Sequence, residues 1–108
     1  MILPKTVRVA GVPIKIVLQE LDGDPYGYWS LDRRTIVLDL NLTGKQLRET
    51  LCHEMIHAAL DLSGISFAKG FPDEPTVRAI ETLFLPAWER MQKRLKATPN
   101  EKDFKGKD

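Results

Sequence analysis

The first forty residues alternate between apolar and polar side chains with the two-residue period of β-strands. Short turn segments separate the alternating runs, which predicts two β-hairpins. Tyrosine, tryptophan and β-branched residues within the runs favour a pleated, half-buried surface. The four predicted strands are residues 5–9, 13–18, 26–31 and 35–40.

The apolar positions then take up the period of an α-helix. Thr43-Gly44-Lys45-Gln46 has the form of a capping box, with Thr43 as N-cap and Gln46 reaching back to it. The helix is predicted to run to Leu62 and to end at Ser63-Gly64. Its apolar arc is as wide as expected for a helix packed on a sheet. That arc comprises Leu47, Leu51, Cys52, Met55, Ile56, Ala58, Ala59 and Leu62.

A second helix is predicted to begin near Asp73-Glu74-Pro75, because proline suits the first turn of a helix. Pro86 must kink or break it, and the helix then continues to Leu95. The residues expected to face inward are Val77, Ile80, Phe84 and Leu85.

Strands followed by helices predict an α+β fold, with a small antiparallel or mixed sheet packed on the first helix. At 108 residues the chain has room for one domain, which we assign to residues 1–96. The polar residues 97–108 are expected to form a disordered tail.

Composition and charge exclude several function classes. The net charge of +1 provides no electrostatic reason to expect a nucleic-acid or anionic-membrane partner. Cys52 is the only cysteine, so an internal disulfide is impossible and a reducing compartment is expected. The amino end has no signal-like segment, and no apolar run approaches the roughly 20 residues of a membrane span. We therefore expect a cytoplasmic protein.

The strongest chemical signal is His53-Glu54-Met55-Ile56-His57, within the first helix. Residues four apart lie on one helix face, so both imidazoles can point to a metal ion about 2.0–2.1 Å away, which is the zinc distance. Glu54 is rotated by about 100° around the helix, beside the metal, where it can take a proton from water. The alternative is a pair of surface histidines at the edge of the apolar arc. The pattern predicts a Zn²⁺ site with His53 and His57 as ligands and Glu54 as catalytic base.

A catalytic zinc site needs a third protein ligand. The metzincin pattern, which continues with glycine and a third histidine, is absent because Leu60 and Ser63 occupy those positions. A carboxylate is therefore expected, and the second helix offers Glu74 and Glu81. These two glutamates lie two turns apart on the same predicted face.

The segment from His53 to Gly64 resembles the zinc helix of small HExxH proteins encoded by phages and prophages, which are similar to ImmA/IrrE-type and SprT-like metallopeptidases. The segment Glu74 to Ile80 resembles the opening of the second helix in such proteins, and residues 83–86 are loosely similar to their leucine-leucine-methionine-proline run. The resemblance spans at most residues 26–86. It implies that Glu74, the acidic residue of that helix opening, is the third metal ligand.

The resemblance also implies a zincin-like fold and a metallopeptidase activity on a protein or peptide substrate, in the host cytoplasm if a phage encodes the chain. It further implies that the strand at residues 35–40 is an edge strand that pairs with the substrate backbone. Oligomeric state is not predicted.

Two competing classes are considered. One is a non-catalytic zinc-binding module of the same fold, with a regulatory or phage accessory role. The other is hydrolysis of a non-peptide bond, as in YbeY-type endoribonucleases, but Ser63 replaces their third histidine.

Three further residues have possible supporting roles. Asp61 lies one turn beyond His57 and could accept its second ring N–H, or could simply be solvated. Tyr26 and Tyr28 could stabilise an oxyanion, although aromatic residues in strands more often serve packing.

Overall fold

The structure is a computed structural model and describes residues 3–22 and 25–97. The chain divides into two compact units, Met1–Val77 and Arg78–Asp108. A disordered tail was predicted for residues 97–108, of which residues 98–108 lie outside the described residues. The assignment of residues 1–96 to one domain stays a prediction.

The first unit contains a four-stranded mixed sheet, which confirms the α+β class and both predicted hairpins. The outer hairpin pairs β1 (Thr6–Val9) with β2 (Val12–Gln19), and the second pairs β3 (Gly27–Ser30) with β4 (Thr35–Asp39), both antiparallel. Strands β2 and β4 join the hairpins in parallel, so the strand order is β1-β2-β4-β3.

Strand β4 lies in the interior of the sheet, so the expectation that residues 35–40 form an edge strand is wrong. Its residues Ile36 to Asp39 are all buried, with β2 on one side and β3 on the other. A continuous run of apolar residues is typical of a strand that is covered on both faces. The edge of the sheet on this side is β3 instead.

Helix α1 (Gly44–Ser63) packs on this sheet and contacts β1, β3 and β4. It ends as predicted at Gly64, which has the left-handed φ of 85° that favours glycine. The capping box is wrong, because Thr43 is the N-cap but its side chain makes no capping hydrogen bond. Gly44 has a φ of +54°, outside the helical region. The Thr43 carbonyl accepts the first hydrogen bond of the helix, from the Leu47 N–H at 3.3 Å.

The core of the first unit lies between the sheet and α1. The predicted arc is only partly correct, since Ala59 is exposed. Ala59 is rotated by about 100° from the buried Ala58, which places it beyond the packed side of the helix. The buried members of this core are Ile14, Ile36, Leu38, Leu42, Leu47 and Ala58.

The second predicted helix consists of α2 (Asp73–Ala79), a π-helical turn (Ile80–Phe84) and α3 (Leu85–Ala97). The chain stays helical through Pro86, which lies in the first turn of α3, so no break occurs there; the regular α-helix is interrupted just before it, by the π-helical turn. Proline has no N–H to bond four residues back, and the Leu85 N–H bonds five residues back to the Ile80 carbonyl. None of the helices within the described residues is both long enough and apolar enough to cross a membrane.

The π-helical turn changes which side chains face inward. An extra residue in a helical turn rotates the following side chains by about 100°. Phe84, predicted to point inward, is 57% exposed and stacks on Trp88 within the second unit, with ring centroids 6.4 Å apart. The inward prediction is correct for Val77, which is fully buried in the first unit.

Gly27, at the start of β3, allows α1 to approach the sheet closely. A Cβ atom at this position would lie 2.9 Å from the Val37 carbonyl oxygen and 3.1 Å from the Thr50 methyl group on α1. The carbonyl belongs to the paired strand and cannot move without disturbing the sheet. Glycine is therefore required by space and not by its backbone angles.

We predict that Gly27→Ala lowers the free energy of unfolding by about 1–3 kcal/mol, the usual cost of overpacking. Chemical denaturation followed by circular dichroism measures it. Ser30→Ala on the same strand is the control, since Ser30 points to the opposite face and loses only an exposed hydrogen bond from the Arg33 N–H at 3.3 Å. Its effect on stability should be smaller than that of Gly27→Ala. Equal stability of wild type and Gly27→Ala would contradict the close packing.

Candidate metal centre

Helix α1 holds His53 and His57 side by side. Their positions four residues apart place them on one face, and their ring centroids are 4.9 Å apart with an interplanar angle of 65°. Both side chains are half-buried. Leu47 and Ala58 pack in the core on a neighbouring side of the helix, so the imidazoles lie beside the core, where they line a cleft together with residues of β3.

The start of α2 brings Glu74 to this pair. The chain turns back after α1 through a 3-10 helix at Ile65–Phe67 and re-enters helical structure at Asp73. Oε1 of Glu74 lies 2.9 Å from Nε2 of His57. His53, His57 and Glu74 each offer a ligand atom, and these atoms all lie within 4.8 Å of one another.

This spacing fits a metal ion. Zinc bonds of about 2.0–2.2 Å in tetrahedral geometry separate neighbouring ligand atoms by about 3.4 Å. The three ligand atoms, all within 4.8 Å of one another, are near this spacing, so the group could hold an ion. The contact between His57 and Glu74 also needs a positive charge or a proton, because a ring-nitrogen lone pair and a carboxylate oxygen at 2.9 Å repel each other otherwise.

The second ring nitrogen of His57 contacts Asp73, which the sequence reasoning did not single out. Oδ2 of Asp73 lies 3.0 Å from Nδ1 of His57. The only sequence signal for Asp73 is its position next to Glu74 at a helix start. His57 thus lies between two carboxylates that are adjacent in the sequence.

Asp61, which was considered for that position, has a different role. Its Oδ2 accepts a hydrogen bond from Nε1 of Trp29 at 2.8 Å, and its Oδ1 accepts one from Oγ of Ser66 at 2.6 Å. Asp61 therefore ties α1 to β3 and to the loop that follows α1. The carboxylate in contact with Nδ1 of His57 is that of Asp73 and not that of Asp61.

Glu54 is the only buried charged side chain of α1, with 8% exposure, and it borders the same cleft as the two histidines. A side chain rotated by about 100° from His53 is expected to lie beside a metal and not on it. The position of Glu54 is compatible with the predicted base, and its catalytic role stays a prediction.

The cleft around these residues has a volume of about 380 Å³. Four of its wall residues are carboxylates, and the wall contains no lysine or arginine. Tyr28 belongs to the wall and Tyr26 does not, so of the two tyrosines considered only Tyr28 is close to the site. The wall residues are Gly27, Tyr28, Trp29, His53, Glu54, His57, Asp61, Asp73 and Glu74.

Strand β3 borders the cleft with an unpaired backbone edge. The Asp39 N–H bonds to the Tyr26 carbonyl at 2.8 Å, which makes residues 26 and 39 a hydrogen-bonded pair of the antiparallel ladder. Since these pairs alternate, Gly27 and Trp29 direct their N–H and C=O groups away from β4. Within the described residues, no other strand pairs with that side of β3.

Glu81, the other candidate for third ligand, lies in the π-helical turn of the second unit. Glu74 and both histidines lie in the first unit. Zinc affinities of variants at Glu74 and Glu81 decide which of the two glutamates is the third ligand.

Comparison with protein-family models, with curated proteins and with solved structures finds no match to this chain. The interpretation of the site accordingly rests on its own residues and their geometry.

We predict one zinc ion per chain in protein purified without a metal-binding tag, measured by elemental analysis. Glu74→Ala should weaken zinc binding by ~100-fold or more, because losing a ligand costs more than losing an outer partner. Glu81→Ala should bind zinc as the wild type does. A loss of affinity in Glu81→Ala alone would make Glu81 the third ligand.

Proposed function

We propose that this protein is a zinc-dependent peptidase of zincin-like fold, in which His53, His57 and Glu74 hold the metal and Glu54 is the catalytic base. The observation that carries the proposal is the meeting, in one cleft, of a three-residue ligand group with the buried carboxylate of Glu54. Two histidines and a carboxylate form a donor set that catalytic zinc sites use.

Zinc, when bound, supplies a Lewis acid that polarises a carbonyl group and makes water acidic enough to attack it at neutral pH. Glu54 accepts the proton of the attacking water as the oxygen adds to the scissile carbonyl carbon. It then donates that proton to the departing nitrogen as the C–N bond breaks, leaving a carboxylic acid and an amine, which become carboxylate and ammonium at neutral pH. The same side chain thus acts first as base and then as acid.

The charge of the cleft favours a polypeptide over a nucleic acid as substrate. Asp61, Asp73 and Glu74 line the cleft together with Glu54, and no cationic side chain lies in the wall to bind a phosphate. A divalent cation compensates only part of this negative charge. A polyanionic substrate would meet net repulsion, whereas a neutral or basic peptide would not.

The open edge of β3 provides a way to bind such a peptide. The outward N–H and C=O groups of Gly27 and Trp29 can pair with an extended backbone, an interaction that gives affinity with little dependence on sequence. In this proposal the strand that pairs with the substrate is β3, whereas the resemblance implied residues 35–40.

A cytoplasmic location is part of the proposal. The supporting observation is that Cys52 is the only cysteine in the sequence and so cannot form an internal disulfide. A single thiol is typical of proteins in a reducing compartment.

We predict that Glu54→Gln removes hydrolysis and keeps the metal. The probe is a peptide library of known sequences, incubated with zinc-loaded protein and analysed for new termini by mass spectrometry. Cleavage should fall by at least ~100-fold, the contribution of a positioned acid–base group. Glu49→Gln, an exposed glutamate on the same helix, is the matched control and should cleave as the wild type does.

The outcomes separate the candidate functions. Cleavage that survives in Glu54→Gln would remove Glu54 from the chemistry. A wild type that binds zinc but cleaves no peptide of the library would favour the non-catalytic zinc-binding module. Iron in place of zinc in the purified protein would redirect the proposal, because two histidines and a carboxylate also suit non-haem iron.

A further inference from the structure

Asp73 is placed unusually for a residue in the first turn of a short helix. Its Oδ2 lies 3.0 Å from Nδ1 of His57, while its Oδ1 is buried and accepts no hydrogen bond from any described residue. A buried acceptor without a partner costs about 1–3 kcal/mol. One oxygen of Asp73 is therefore left without a hydrogen bond, at a cost in stability, while the other contacts His57.

A purely local role for Asp73 accounts for less of this geometry. An acidic residue in the first turn interacts favourably with the helix dipole wherever its carboxylate lies near the helix axis. The carboxylate oxygens can remain exposed to solvent in that interaction. It does not require contact with a ring on another helix. The contact with Nδ1 also leaves Nε2, the nitrogen that faces Glu74, as the only ring atom available to a metal.

We propose that Asp73 is a positioning residue that fixes His57 as a metal ligand, an inference that rests on the proposed metal site. By accepting a hydrogen bond from Nδ1–H, Asp73 selects the tautomer whose Nε2 lone pair points into the ligand group. Its negative charge also strengthens that lone pair as a donor to the metal. The adjacent residues Asp73 and Glu74 then have complementary roles, one acting through His57 and the other on the metal itself.

The pairing has a geometric consequence. One turn of backbone at the start of α2 presents both carboxylates to the two nitrogens of a single imidazole, at 3.0 and 2.9 Å. A displacement of α2 would disturb both contacts at once. The position of this helix start relative to α1 therefore determines the ring orientation of His57 as well as the place of the third ligand.

The test is zinc affinity together with the tautomer of His57. Zinc binding is titrated against a competing chelator for the wild type, Asp73→Ala and Asp73→Asn. Asp73→Ala should lose about 10–100-fold in affinity, the usual effect of removing the partner of a ligand histidine. Asp73→Asn should lose less, because its carbonyl oxygen can still accept the Nδ1–H bond.

The spectroscopic measurement separates positioning from a merely structural role. The chain has only two histidines, so the ¹⁵N–¹H spectrum of zinc-loaded, histidine-labelled protein contains two imidazoles. His57 should show a protonated, slowly exchanging Nδ1 in the wild type and in Asp73→Asn. That signal should be lost from Asp73→Ala.

Asp61→Asn is the matched control, since it removes a carboxylate charge from the same cleft without touching His57. It should retain the His57 signal and lose less affinity than Asp73→Ala. If wild type and both Asp73 variants bind zinc equally, the role of Asp73 is overturned and the metal site stands. If the wild type binds no zinc, the proposed function and the role of Asp73 both fail.

Discussion

The packing of α1 against the interior of the sheet determines where every candidate site residue lies. Ala58 and Leu47 fix one side of the helix in the core, and Gly27 removes the side chain that would hold β3 away from it. A helix whose buried side is fixed has no freedom to rotate. The directions in which the two histidines and Glu54 leave the helix are therefore fixed. Asp61, further along α1, accepts a hydrogen bond from the indole N–H of Trp29 and so connects the helix to β3.

The candidate metal centre depends on one local and one non-local feature of the structure. The spacing of His53 and His57 is local, since any regular helix brings residues four apart together. The approach of Asp73 and Glu74 is not local, because it depends on the length and path of the connection after Gly64. The local spacing pairs the two imidazoles, and the non-local approach brings Asp73 and Glu74 into contact with His57.

Local signals in the sequence predicted the hairpins, the helix carrying the motif and an irregularity of the second helix near Pro86. What they did not predict depends on distant contacts. The parallel pairing of β2 with β4 moves β4 to the centre of the sheet, and no alternation pattern reports which strands will be neighbours. The same limitation explains Asp61 and Asp73, since helical spacing favoured Asp61 while the fold directs Asp61 to Trp29 and brings Asp73 to His57. A smaller difference concerns Thr43, whose side chain was predicted to cap α1 and does not. The residue after it, Gly44, has a φ of 54° and so departs from helical backbone angles.

The order of the strands has a consequence for how the chain reaches its native state. Each hairpin pairs strands that are neighbours along the chain, which can form within about 1–10 μs. The hairpins meet only through β2 and β4, where Lys15 pairs with Thr35 and the chain between them must first close into a loop. Such non-local pairing slows folding. The surface on which α1 packs is complete only after this step, so α1 is expected to dock late.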